Sequence, residues 1–361
     1  MTELTNSPSF FLGANSASGF YSYFNQAYEP EDGWRLIILK GGPGTGKSSF
    51  MKRFAQCAQE RGEKLERIYC SSDPASLDAV LLPNRKIGIV DGTPPHTMEP
   101  KYPGVSETII NMGEYWDASQ LEPHAKDIIS ISKQCSGEHA RSQRYLRAAG
   151  ALLEDTYQYA LSCTDQEKLE KYVEKTVRRL FLPEREEPKE SIRFLSGITP
   201  DGIIRLKDTP TAYGTRCFYI EDDYGPVSNL FLTCLRTLLL KKNAAFITCY
   251  QPLFPTSRLE AIIIPDAGIT FLSTNSRKEK EEKPCKTIHA KRFMDIERLA
   301  LRRQRLNFTK KAVRELIQEG VYCLRSAKEI HDELEKRYIQ AMDFLEAEKK
   351  IQSVLQTFFP E

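Results

Sequence analysis

The stretch from Gly41 to Ser49, GGPGTGKSS, constrains this chain more than any other and contains the GxxxxGK[ST] pattern. Ahead of it, Arg35 to Lys40 (RLIILK) is a short apolar run with the length of a buried strand. Behind it, Phe50 to Gly62 (FMKRFAQCAQERG) sets apolar residues at helical spacing and ends on a glycine suited to close a helix. Strand, glycine-rich loop and helix form the context in which the pattern has physical meaning. Glycine backbones at Gly41, Gly42, Gly44 and Gly46, with Pro43 and Thr45 between them, can curl so that successive N–H groups point inward at phosphate oxygens. The start of the following helix adds partial positive charge. Lys47 is expected to reach the β- and γ-phosphates and Ser48 to hold Mg²⁺, with Ser49 completing the loop. The expected ligand is a purine nucleoside triphosphate, ATP with Mg²⁺; the plainer alternative is a glycine-rich turn that binds nothing.

The two halves of the chain match when laid over each other. FFLGANSASGF (Phe10 to Phe20) resembles RFLSGITPDGI (Arg193 to Ile203), and RLIILKGGPGTGKSSF resembles RCFYIEDDYGPVSNLF (Arg216 to Phe231). LDAVLLP (Leu77 to Pro83) resembles LEAIIIP (Leu259 to Pro265), KIGIVD (Lys86 to Asp91) falls on GITFLS (Gly268 to Ser273), and Asp117 falls on Asp295. KLEKY (Lys168 to Tyr172) aligns with ELEKR (Glu333 to Arg337), at a shorter spacing than the other pairs. Positions shared by the halves are mostly apolar or turn-forming, whereas Lys47, Ser48 and Asp91 become Ser228, Asn229 and Ser273. Gly41 and Gly42 become Asp222 and Asp223, two carboxylates expected to repel a triphosphate. The expected fold is therefore α/β: a three-layer P-loop NTPase-like unit duplicated in tandem, residues 1–184 and 185–361. A helical hairpin closes each half, at about 118–181 and 296–359, and a polar stretch, Pro183 to Glu190, links the halves.

Other polar residues of the first half read two ways. Asp91 ends a short strand-like run, where a second Mg²⁺ ligand belongs, or closes an Asp-Gly turn. In CSSDPASLD (Cys70 to Asp78), Ser72 or Asp73 can N-cap a helix with Pro74 at its first position. Asp73 is also a candidate to face the γ-phosphate or a phosphate acceptor. His96 is either a substrate-contacting group or a surface-loop histidine. Phe20, Tyr21, Tyr23 and Phe24 read as core more than as a base-stacking platform.

The chain of 361 residues carries a net charge of +2, which argues against a dedicated nucleic-acid binder. Its nine cysteines are scattered and never form CxxC, so reduced thiols are expected. There is no basic segment followed by an apolar core at the start and no apolar run long enough for a membrane span. A cytoplasmic protein is the expectation.

KGGPGTGKSS, YCSSDPASLD, DGTPPH, YPG and GEYWD together resemble a Firmicute-type bacterial family of tandem P-loop proteins described as ATPases or nucleotide kinases. The resemblance spans nearly the whole chain and implies the doubled P-loop architecture. In relatives the second half can carry its own KGRPGTGKS-like loop; this chain departs from that at Asp222 to Asn229. Three readings follow: a slow Mg²⁺-dependent ATPase, a kinase passing the γ-phosphate to a small acceptor near Asp73 and His96, and a nucleotide-sensing scaffold presenting its hairpins to a protein partner. Ser276 to Lys286 is a candidate basic lid for the kinase. Arg258, Arg277 and Arg292 are candidates to reach the loop from the second half.

Overall fold

The computed structural model describes residues 7–275 and 286–360. The first half runs through β1 (Ser9–Phe11), the β2–β3 hairpin (Gly13–Ser16, Gly19–Ser22), β4 (Arg35–Lys40), α1 (Lys47–Glu60), β5 (Glu66–Tyr69), β6 (Leu77–Leu82), β7 (Ile87–Asp91) and β8 (Glu107–Asn111). Helices α2 (Ala118–Leu121), α3 (Ala125–Ser162) and α4 (Gln166–Val177) follow. The second half repeats the plan with β9 (Lys189–Arg193), β10–β11 (Ser196–Thr199, Gly202–Arg205), α5 (Thr209–Ala212), β12 (Arg216–Glu221) and α6 (Pro226–Lys241). It continues with β13 (Ala245–Gln251), β14 (Phe254–Ile264), β15 (Ile269–Thr274), β16 (Lys286–His289), α7 (Ile296–Ala300), α8 (Arg303–Gln340) and α9 (Phe344–Phe358). The strand orders β1-β5-β6-β7-β4-β8 and β9-β13-β14-β15-β12-β16 correspond member for member, so the duplication extends to the topology. Both six-stranded sheets are mixed, because β6 and β14 run antiparallel to their neighbours.

The fold departs from the sequence-based expectation in three respects. The first concerns the layers. Along β4, Leu36 and Ile38 point into one core while Ile37 and Leu39 point into another, as the period of two in a strand dictates. Helix α1 covers only the second of these faces. The first face packs in a central apolar layer with Ile247, Ala261, Ile263 and Leu272 of the other sheet. The stack is helices, sheet, sheet, helices, in place of two separate three-layer units. Phe11 and Phe194 mark the seam, each donating its N–H to the other's carbonyl at 2.9 Å.

The second correction concerns Cys70 to Asp78, which starts no helix. Cys70 to Ser76 is the turn between the antiparallel strands β5 and β6, closed by Ser76 N–H to Asp73 O at 2.8 Å and Cys70 N–H to Ser76 O at 3.1 Å, and Leu77 and Asp78 begin β6.

The third concerns the helical hairpins, which lie where the sequence puts them but are exchanged between halves. Ile351, Leu355 and Phe359 of the second hairpin pack with Phe50 and Phe54 of α1 and Leu82 of β6. Leu169, Val173 and Val177 of the first hairpin pack with Phe231 and Leu235 of α6. Each such side chain contributes about 1.5–3 kcal/mol on burial, so each half completes its core with residues from the other. The crossings are reciprocal: Asp117 N–H bonds to Ala341 O and Asp343 N–H to Tyr115 O, while Asp165 and Asp295 do the same with Phe293 and Cys163. Asp165 and Asp343 cap α4 and α9 and are true equivalents. Lys168 to Tyr172 therefore corresponds to the start of α9, and Glu333 to Arg337, in α8, is not its counterpart. Between the hairpins, α3 and α8 lie against each other, with Ser142 Oγ donating to Gly320 O at 2.8 Å. A Cβ at Gly320 would come 3.0 Å from Leu146, so the close approach depends on glycine. No helix among the described residues is long and apolar enough to cross a membrane, and all eight described cysteines are free thiols.

Candidate functional site

The loop from Gly41 to Gly46 leaves β4 between its two parallel neighbours, β7 and β8. Gly41, Gly44 and Gly46 hold φ of +134°, +70° and +84°, a region that side chains other than glycine avoid. Lys47 opens α1, and its ammonium donates to the carbonyls of Gly41 and Gly42, both at 2.8 Å. It also stands 3.7 Å from Oδ2 of Asp91, at the end of β7. Asp91 Oδ1 accepts from the backbone N–H and hydroxyl of Thr93 at 2.9 and 2.5 Å, leaving Oδ2 turned toward Lys47. Ser48 Oγ accepts the N–H of Leu77 at 3.1 Å. Lys47, Ser48 and Asp91 thus meet at one end of the sheet. Ser48 and Asp91 offer two hard oxygens of the kind that suit Mg²⁺.

Asp73 has other partners. Its carboxylate accepts from Ser76 Oγ at 2.6 Å and stands 3.7 Å from Nζ of Lys328 on α8. The link to Lys328 belongs to a larger contact that no local pattern announces. The last turns of α8 lie on the loop. Gly44 N–H donates to Glu335 Oε1 at 3.3 Å, and a Cβ at Gly44 would come 2.9 Å from both Glu335 O and Ile339 Cγ1. Trp116 covers Gly42, 3.1 Å from where its Cβ would be, and packs against Tyr338 with centroids 5.1 Å apart.

Among the described residues the second half reaches the loop through α8, while Arg258 and Arg292 have other partners. Arg258 is buried against α3 of the first half, paired with Glu154 at 2.6 Å and lying over the rings of Tyr157 and of Phe254. Arg292 lies over Tyr172 and Phe293. Arg277 and nearly all of the Ser276 to Lys286 run fall outside the described residues.

The loop of the second half is filled by its own side chain. Asp222 is buried, and its carboxylate accepts the N–H groups of Tyr224 at 3.1 Å and Ser228 at 2.8 Å. Burial pushes its pKa up, against backbone donors that pull it down. The expected pair of repelling carboxylates is thus one buried group bonded within its own loop, Asp222, and one exposed residue, Asp223, 3.9 Å from Lys310. Asn229 Oδ1 accepts the N–H of Leu259 at 2.9 Å, repeating the Ser48 to Leu77 contact. The last turns of α3 cover this loop as α8 covers the other, and Tyr157 takes the place of Glu335, its hydroxyl accepting from Asn229 Nδ2 at 2.9 Å. Asp222→Ala is expected to cost about 1–3 kcal/mol by orphaning buried donors. Inorganic phosphate should recover part of the lost Tm. Thermal unfolding in phosphate and in chloride checks this; a loss identical in the two buffers would count against an anion cradle.

His96 is not a surface residue. It is buried, with Nε2 3.4 Å from Asp78 Oδ2 and its ring stacked on Phe24 at 4.4 Å between centroids. Tyr23 and Phe24 are buried in the central layer, in keeping with a core role for the aromatic cluster.

In comparisons with protein families, curated proteins and solved structures, no match was found for this chain.

Proposed function

We propose that this chain is a P-loop protein that binds ATP with Mg²⁺ on Gly41 to Ser48 and hydrolyses it slowly. The observation that carries the reading is the position of Lys47. Its ammonium is parked on two loop carbonyls, 3.7 Å from a carboxylate that ends the neighbouring parallel strand. Anionic ligands favour the open ends of such strands and the N-terminus of the helix beyond. Lys47 would leave the carbonyls for the β- and γ-phosphates, while loop N–H groups bind the remaining oxygens. Mg²⁺, held by Ser48 and Asp91, supplies charge neutralisation when bound. The residue after Asp91 is Gly92, so no carboxylate follows it to activate water, which fits slow turnover.

The contact with α8 favours nucleotide sensing as a companion to hydrolysis. Glu335 takes up a loop N–H that a phosphate oxygen would need, so nucleotide must displace a residue on a 38-residue helix. That movement would carry loop occupancy along the hairpins to a protein partner.

Titration calorimetry with ATP, with and without Mg²⁺, tests the reading. Asp91→Asn is expected to weaken binding about tenfold or more with Mg²⁺ and far less without it, since the carboxylate acts through the cation. Equal losses in both conditions would make Asp91 a turn residue. Phosphate release from ATP alone supports hydrolysis; ATP consumption only with added metabolites supports the kinase.

A further inference from the structure

This inference rests on the triphosphate reading and adds the group that accepts the proton. Asp78 and Asp91 lie one position outward from the Ala79 and Val90 pair of β6 and β7, at the end of the sheet that carries the loop. Leu77, next to Asp78, donates to Ser48. Asp78 and His96 are a buried pair, and the second ring nitrogen of His96, Nδ1, is enclosed with no hydrogen-bond partner. A buried polar nitrogen left in that state calls for a water or ligand atom to meet it. The segment that carries His96 is fastened to the loop's own strand. Lys40, the last residue of β4, donates to Gly92 O at 3.0 Å and to Met98 O at 2.7 Å.

The second half keeps the buried acid and changes its partner. Glu260 occupies the place of Asp78 on β14, and its carboxylate pairs with Arg205 at 2.8 Å and accepts from Ser196 Oγ. Arginine keeps its charge at any pH a folded protein meets, whereas histidine exchanges its proton near neutrality. The half that retains Lys47 has the exchangeable partner, and the half that lost it has the fixed one.

We propose that His96, oriented by Asp78, is the proton acceptor for attack of water on the γ-phosphate. The water oxygen bonds to the γ-phosphorus, and its proton goes to Nδ1 of His96. The bond from the γ-phosphorus to the bridging oxygen breaks, and the electron pair leaves with ADP. Asp78 stabilises the imidazolium at Nε2 until the proton passes to solvent. Among the groups facing this pair, burial lowers the His96 pKa but Asp78 and Asp91 outweigh it, so the ring titrates above its usual range. Burial and the nearby Asp78 push the Cys70 thiol well up and keep it neutral. The neutral ring is the active form, so turnover should rise with pH through the His96 pKa.

The test measures ADP formation against pH, ATP affinity by calorimetry, and imidazole titration by NMR on the full chain. His96→Gln retains a donor for Asp78 but accepts no proton. It is expected to lower turnover about 100-fold or more, to bind ATP within about twofold of the parent, and to lose the pH-dependent limb. Asp78→Asn should lower the His96 pKa seen by NMR and move the limb of the rate profile with it. Unchanged turnover in His96→Gln would overturn the proposal. So would a wild-type kcat/KM profile, which reports the free chain, whose pKa differs from that of His96 by NMR on the free chain, a comparison that needs no variant to fold. Failure of the parent chain to bind ATP would instead remove the triphosphate reading.

Discussion

Lys47→Ala is expected to remove ATP binding measurable by calorimetry while the fold stays intact. The ammonium already lies on the carbonyls of Gly41 and Gly42, and truncating one partner of a desolvated charge contact costs about 2–5 kcal/mol, roughly 30- to 5,000-fold in affinity. Its stability role is small. The loop is shaped by the φ angles of Gly41, Gly44 and Gly46, and Lys47 adds hydrogen bonds to two carbonyls that solvent can also satisfy and a 3.7 Å contact with Asp91. Alanine is also a better helix former than lysine at the start of α1. The unfolding midpoint should therefore change little. Affinity equal to that of the parent chain would take the nucleotide away from Gly41 to Ser48.

Phe359→Ala should produce the largest loss of stability, and in the half that does not contain it. Phe359 is buried against Phe54 with ring centroids 4.9 Å apart, and Arg61 and Arg85 flank it at 5.4 and 5.3 Å. Emptying such a site costs about 3–5 kcal/mol. Hydrogen exchange should show protection lost in α1 and β4, with α6 and β12 much less affected. The reverse pattern would contradict the exchanged hairpins.

How much of this could be read in advance depended on how far each signal reaches along the chain. The unit from Arg35 to Glu60 was legible because strand period, glycine run and helix period are all local. The duplication was legible because apolar positions recur in order. CSSDPAS misled because serine, aspartate and proline serve helix caps and tight turns alike. KLEKY and ELEKR misaligned because Leu-Glu-Lys strings recur in any amphipathic helix. Ile351, Leu355 and Phe359 show at a glance that α9 buries a stripe, but a stripe does not name its partner. The carboxylate of Asp222 was visible, while the donors that wrap it come from the shape of the loop. Glu335 sits 291 positions from Gly44, beyond any pattern of spacing.

The exchange of hairpins also sets a timetable for synthesis. The strands of the first sheet are all made by Asn111, yet the outer core of α1 and β6, with Phe50, Phe54 and Leu82, lacks the part of its cover that α9 supplies until α9 has been translated. Roughly 250 residues separate the two, about 12–50 s at 5–20 residues per second. Over that interval the nascent chain carries an outer core closed only by α1, and an inner apolar sheet face that waits for the second sheet. The first half has no finished state to reach ahead of the second. A ribosome that stalls before α9 would release a chain whose exposed surface is a target for chaperones and proteases.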